Sequence, residues 1–205
     1  MFGKLPKVIS DIECSGSEYL YYLYMPIKFP NMYVPRYEDR IKPYENLIKA
    51  SIFHFWDEIG LARYEKSYVY LTIKRRYQTK DNFINREGWH SDNFGDDSIN
   101  YIWSDMQPSV FNSSNFNLSN DDSMSMVEMK KQALLENNVT YPNNSLLQLD
   151  QYCIHKVGEI EVGVRTFFKL TISDFKFNYY GNTHNYHLYY NWEMKQRKAS
   201  RNLTH

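Results

Sequence analysis

Apolar positions recur with two different periods along this chain, and the change of period divides it. Tyr44, Leu47, Ile48, Ile52, Phe55, Trp56 and Ile59 return at intervals of three and four, the spacing of one helical face. Pro43 suits a first helical position and Gly60 a stop, which predicts one amphipathic helix between them. Beyond it the period falls to two. The runs 67–78, 98–105, 145–157 and 161–173 are rich in β-branched and aromatic residues and read as strands, as do FKFNYY and NYHLYYNW further on. Ahead of the helix, the segment to about residue 36 is punctuated by Pro26, Pro30 and Pro35 and reads as extended strands and turns. Between the second and third strand runs lies NSSNFNLSNDDSMS (112–125), a polar loop leading into a short helix that its Asp and Ser residues can cap. With little apolar content to pack, the loop and helix over 112–137 are expected to be mobile without substrate, to contact it at the rim of a site, and to be dispensable for a metal site.

Many strands behind one long helix predict a mainly β fold, a sandwich or barrel with helical support. No internal repeat or linker divides it, so a single domain is expected over 1–205. Within it, 1–66 forms an N-terminal extension with the supporting helix, and 67–192 forms the strand core. The 205 residues are 42% apolar and 17% aromatic, enough for a sizeable core and too much for a disordered chain. Lys plus Arg and Asp plus Glu both number 24, so no general attraction to nucleic acid or anionic membrane exists. No apolar run approaches the roughly 18 residues of a membrane span. The surplus of Tyr and Asn over Ala and Gly points to an AT-rich genome, bacterial or viral. Cys14 and Cys153 make neither a disulfide framework nor a thiolate metal site alone, and the N-terminus lacks a secretory pattern. A reducing cytoplasm, of a bacterium or of a virus-infected cell, is the expected setting.

The chemistry is concentrated in FINREGWHSDNFGDDSINYIWSD. His90 and Asp92 stand at i and i+2, so on a strand end they project to one side. Imidazole with carboxylate suits Fe(II), Mn(II) or Zn(II) rather than a thiophilic metal. Such a pair is common and says little by itself. A distant partner adds weight: His155 ends the strand-like run LLQLDQYCIHKV, and Arg165 follows ten residues later. Two histidines and one carboxylate on one ion form a facial triad with three adjacent open positions. On its predicted strand Arg165 shares a face with Phe167, Lys169 and Thr171, while Thr166, Phe168, Leu170 and Ile172 take the other.

The pattern His90-x-Asp92, His155, then ten residues to Arg165, resembles the Fe(II)/2-oxoglutarate-dependent dioxygenases over roughly residues 68–175. That resemblance implies a double-stranded β-helix, a jelly-roll or cupin-like barrel with the metal in its mouth. It implies that His90, Asp92 and His155 are the catalytic iron ligands and that Arg165 pairs with the distal carboxylate of 2-oxoglutarate. It also implies that 2-oxoglutarate and O₂ are consumed, with succinate and CO₂ released, while an unidentified substrate is hydroxylated or otherwise oxidised at C–H. Tyr70, with Tyr68 beside it, is a looser candidate for a phenol bonding the cosubstrate.

Plainer readings stand beside these. His90 can be a loop residue after Trp89, Asp92 a turn-former, and His155 a satisfied strand-end residue. Asp96 and Asp97 read as solvated loop acids, and His54 as a packing or surface residue of the helix. His184 and His187 fall on opposite faces of a strand, which argues against joint ligation. The basic segment Lys74, Arg75, Arg76, Lys80 and Arg86 reads as a solvated face, and the basic run 195–205 as a frayed end. Two alternatives remain open: a jelly-roll binding protein without turnover, and a Zn(II) or Mn(II) cupin-type enzyme in which Arg165 has no cosubstrate.

Overall fold

The computed structural model describes residues 1–197 except Phe83 and Arg86; the basic residues 198–205 and Arg86 lie outside the described residues. Its elements run β1 (Lys7–Asp11), β2 (Leu20–Lys28), α1 (Glu45–Glu58), α2 (Leu61–Lys66), β3 (Tyr68–Gln78), β4 (Ile99–Ser104), β5 (Val110–Asn112), α3 (Asp122–Gln132), β6 (Asn138–Thr140), β7 (Ser145–Leu149), β8 (His155–Lys156) and β9 (Gly163–Ser173). A 3₁₀ turn over Asp39–Tyr44 leads into α1 and contains Pro43. Gly60, at φ +108°, turns the chain into the short α2, a backbone angle open to glycine at little cost.

Among the described residues, nine strands form two antiparallel sheets. The larger has the order β1-β7-β4-β9-β3-β2 and the smaller β6-β5-β8. His90 adds itself to the outer edge of β8 by a bridge to His155. From β3 onward the chain therefore alternates between sheets: β3 large, His90 small, β4 large, β5 and β6 small, β7 large, β8 small, β9 large. Among the described residues no strand pairing joins the two sheets, so the structure is mainly β with two facing sheets, and a closed barrel is not seen.

The period-two pattern on β3, β4 and β9 sorts their side chains onto two faces. Val69, Leu71, Ile73, Tyr101, Trp103, Phe168, Leu170 and Ile172 pack against Leu47, Ile48, Ile52 and Phe55 of α1 in the main core. On the opposite face Ile102 and Leu147, with Phe167 against them, meet Phe111 of β5 and Cys153. The helix thus covers one face of the large sheet, and the small sheet covers part of the other.

Three expectations change. The run 145–157 is not one strand: Asp150 accepts a hydrogen bond from the Tyr152 amide through its side chain and from the Cys153 amide through its carbonyl. That turn carries the chain from β7 in one sheet to β8 in the other. FKFNYY and NYHLYYNW form no strands. The chain leaving β9 starts from a central strand, and side chains hold it instead: Tyr70 bonds the Phe175 carbonyl and the Phe177 amide, and Asn185 bonds the carbonyls of Pro26 and Arg36. Finally, the segment 112–125 is tied down rather than free. Phe116 packs against Met129 and Ile154, Asn112 and Ser114 bond the chain around 134–138, and Asp121 caps α3 at the Ser123 and Met124 amides.

Candidate metal centre

His90 and His155 face each other across a two-way main-chain bridge, with both N–H···O=C distances 2.9 Å. Directly paired residues project to one side, and the two imidazole centroids lie 4.5 Å apart. Asp92, two residues beyond His90, projects the same way. Asn93 then takes φ +56°, a left-handed turn that asparagine tolerates, and leads the chain away toward β4. One ligand atom from each of His90, Asp92 and His155 lies within 4.8 Å of the others. Donors about 2.1 Å from a shared ion lie at most about 4.2 Å apart, so small side-chain movements suffice. Among the described residues this is the one such group of three.

Each imidazole presents a defined nitrogen. His90 Nδ1 lies 2.9 Å from the Gly88 carbonyl oxygen, and His155 Nδ1 lies 3.2 Å from that of Cys153. A carbonyl only accepts, so Nδ1 carries the proton and Nε2 keeps its lone pair. Burial lowers the His155 pKa despite the nearby Asp92, which favours the neutral, ligating form. This donor set fits a divalent ion.

Lys169 is the residue that the triad pattern did not point to. Its Nζ lies 2.8 Å from Asp92 Oδ2 and donates to the Tyr24 hydroxyl at 3.0 Å. Burial pushes the Asp92 carboxyl up, but the fields of Lys169, His155 and His90 outweigh it and hold the group well below the usual carboxylate range. The Lys169 ammonium is held above its ordinary value: burial opposes this, and the Asp92 and Tyr24 interactions prevail. Tyr24 arrives through a bulge. Tyr22 pairs with Ile73 and Met25 with Leu71, leaving one extra residue in β2, and Tyr24 sits at φ +43°. A bulge of this kind re-aims a side chain, here a phenol toward the site.

These groups line a cavity of about 90 Å³ with Lys74, Lys156, Thr72 and Phe167. Three lysines, Lys74, Lys156 and Lys169, line it with one carboxylate, Asp92, so its lining is net positive although the whole chain is neutral. Two larger clefts, of about 510 and 360 Å³, lie elsewhere. The second is aromatic and includes His184, stacked on Tyr190; neither His184 nor His187 joins the triad.

Arg165 and Tyr70 are not among the cavity residues. Arg165 is buried at 1% exposure. Its Nε donates to the Met106 carbonyl at 2.9 Å and its Nη2 to the Gln107 carbonyl at 3.0 Å. Tyr70 spends its hydroxyl on the 175–177 segment. The basic segment divides by face: Arg75 meets Asp105 and Thr166 on one side, whereas Lys74 is buried in the cavity rather than solvated. Asp96 caps the Ser98 amide within its turn, and Asp97 accepts from the Gln151 side chain at the surface. His54 lies on the helix side, 3.1 Å from the Tyr101 hydroxyl. No protein-family model matches the chain, and neither a curated protein nor a solved structure matches it.

Proposed function

We propose that this chain is an Fe(II)- and 2-oxoglutarate-dependent oxygenase that hydroxylates, or otherwise oxidises at C–H, a substrate not yet identified. The observation that carries the reading is the pair of Nδ1-anchored histidines converging with Asp92 inside a cavity whose lining is net positive. The alternation of strands between two sheets supports a double-stranded β-helix, with His90 bridged to His155 at the edge of the smaller sheet. Two free cysteines suit a reducing cytoplasm.

Iron, 2-oxoglutarate and O₂ together would supply oxidation of an unactivated C–H bond, with succinate and CO₂ as coproducts. The chain's own part is positioning. His90 and His155 offer Nε2, Asp92 offers the single anionic oxygen, and Lys169 holds the carboxylate's second oxygen in place. Leu23, Ile102 and Phe167 limit water around the centre.

One observation favours the binding-protein reading: Lys169 already neutralises Asp92, as it would in a cavity that takes an anion without metal. Anaerobic Fe(II) titration followed by a 2-oxoglutarate decarboxylation assay separates the readings. One Fe(II) per chain, weakened by Asp92→Ala and His155→Ala, and succinate formation without added substrate are expected. Full iron affinity in both variants would end the triad reading. Metal binding without decarboxylation would leave the binding protein or the Zn(II)/Mn(II) enzyme.

A further inference from the structure

Asn100 stands in β4 with its amide fully buried. Strands disfavour asparagine, and burial penalises an amide unless it is bonded. Here both ends are answered. Nδ2 donates to Asn93 Oδ1 at 3.0 Å, and Oδ1 accepts from Thr171 Oγ1 at 2.7 Å. Asn93 Nδ2 in turn lies 3.4 Å from Asp96 Oδ2. A carboxylate only accepts, so Asp96 sets the direction of the row, through Asn93 and Asn100 to the Thr171 hydroxyl.

The row ends beside the carboxylate ligand. The two histidines are placed by their main-chain bridge, but Asp92 lies past it, in the turn that begins there. Asn93, the next residue, holds φ +56°, which a side chain other than glycine enters at a cost and asparagine tolerates when it is bonded locally. On the other side of Asp92, Ser91 is buried and donates to the Gln151 carbonyl. Strand register brings β9 to the same place twice. Ile102 pairs with Lys169 and Asn100 with Thr171. Lys169 bonds the Asp92 carboxylate directly, and Thr171, two residues along on the same face, reaches the turn behind it through Asn100.

We propose that Asn100 is a positioning residue for the metal centre: through Asn93 it fixes the turn that presents Asp92, so that a carboxylate anchored to the large sheet meets two imidazoles of the small sheet on one ion. Asn100 does not line the cavity and acts through Asn93. The inference rests on the metal-binding part of the oxygenase reading and adds to it the residue that joins the two halves of the site.

The test uses the full chain and Mn(II), with bound and free ion separated by electron paramagnetic resonance and urea unfolding of each metal-free variant run in parallel. Asn100→Leu is expected to weaken Mn(II) binding by about tenfold to a hundredfold, the range for groups that orient a metal ligand. Thr171→Val, which leaves Asn100 its bond to Asn93, should lose less. A double-mutant cycle separates positioning from packing. In an Asn93→Gly background the turn can still form, but no side chain remains for Asn100 to hold. There Asn100→Leu should change Mn(II) affinity by less than about twofold, although it still lowers the urea midpoint. Asn100→Ser, which can bond Thr171 but is too short to reach Asn93, takes the place of leucine in the same cycle if leucine disturbs the fold. Wild-type Mn(II) affinity in the folded Asn100 variant, or an equal loss in both backgrounds, would overturn the assignment and leave the metal centre standing. A wild-type chain that binds no Mn(II) would sink the centre, and this inference with it.

Discussion

His90 and His155 exchange main-chain hydrogen bonds in both directions, each 2.9 Å long. The centre is therefore set by strand pairing rather than by loop packing, because residues so paired must project to one side. Asp92 joins them by the period of an extended chain, and Lys169 meets Asp92 from β9, a central strand of the large sheet. Each sheet thus contributes one half of the site.

The Lys169–Asp92 pair predicts a stability window. The Asp92 carboxyl has a folded pKa below its unfolded value of about 3.9, so its contribution is complete above that pH and fades as acid titrates the folded group. The Lys169 ammonium has a folded pKa above its unfolded value of about 10.4. Its contribution is complete below that and fades as pH rises through the folded value. Lys169→Met should leave Asp92 uncompensated and cost about 2–4 kcal/mol at neutral pH, slightly under the range for a fully buried pair because Asp92 keeps some water contact. Urea unfolding of the metal-free variant should also show stability rising on mild acidification, opposite to wild type. An unchanged midpoint would mean that the pair adds nothing.

The burial of Lys74 predicts a stability cost. Burial, with the charges of Lys169, Arg76 and Arg165, lowers its pKa from 10.5 to about 8, with Asp92 opposing. Holding that ammonium charged costs about 3 kcal/mol below pH 8, a cost that vanishes above pH 10.5. Lys74→Met should therefore raise the thermal midpoint of the ligand-free protein at neutral pH. A midpoint that drops in Lys74→Met would mean that the burial carries no such cost.

Much of the architecture was legible because period and spacing carry it. The α1 face, β3, β4 and β9 follow their apolar repeats closely, and both histidines with Asp92 stood out by type and by strand position. The three-residue β5 and β6 are too short to show a period. The 145–157 run hid its turn because Asp150 and Gln151 interrupt an otherwise continuous apolar pattern only briefly. The terminal aromatics pass for strands by composition, yet Tyr190 and Trp192 pack edge-on or tilted against each other and Phe29, with centroids about 5 Å apart. Lys169 shares a face with Arg165, but the family resemblance implies a cosubstrate role for the arginine and none for the lysine. Only the register of β3 against β9 shows which cation lies beside Asp92. Tyr24 depends on a bulge, which no alternation announces.

The segment 113–122 yields the last prediction. Its polar composition suggests a dispensable rim, but Phe116 is 6% exposed and packs on Ile154, the fully buried neighbour of His155. Ser114 Oγ accepts from the Leu134 amide and from Asn137 Nδ2, and Asn117 exchanges two hydrogen bonds with the Gln132 side chain. Removing the ring leaves a void against the strand that carries one metal ligand. Phe116→Ala should cost about 3–5 kcal/mol and weaken Fe(II) binding. Replacing 113–122 with a Gly/Ser linker should abolish metal binding or folding rather than spare it. A surface control, Tyr189→Ser, should stay within about 0.5 kcal/mol, since Tyr189 is fully exposed. Chemical denaturation with parallel Fe(II) titration reads both quantities. A linker variant that kept wild-type iron affinity would show that His155 is held by its pairing with His90 and Phe111 alone, and that the packing beneath it is incidental to the site.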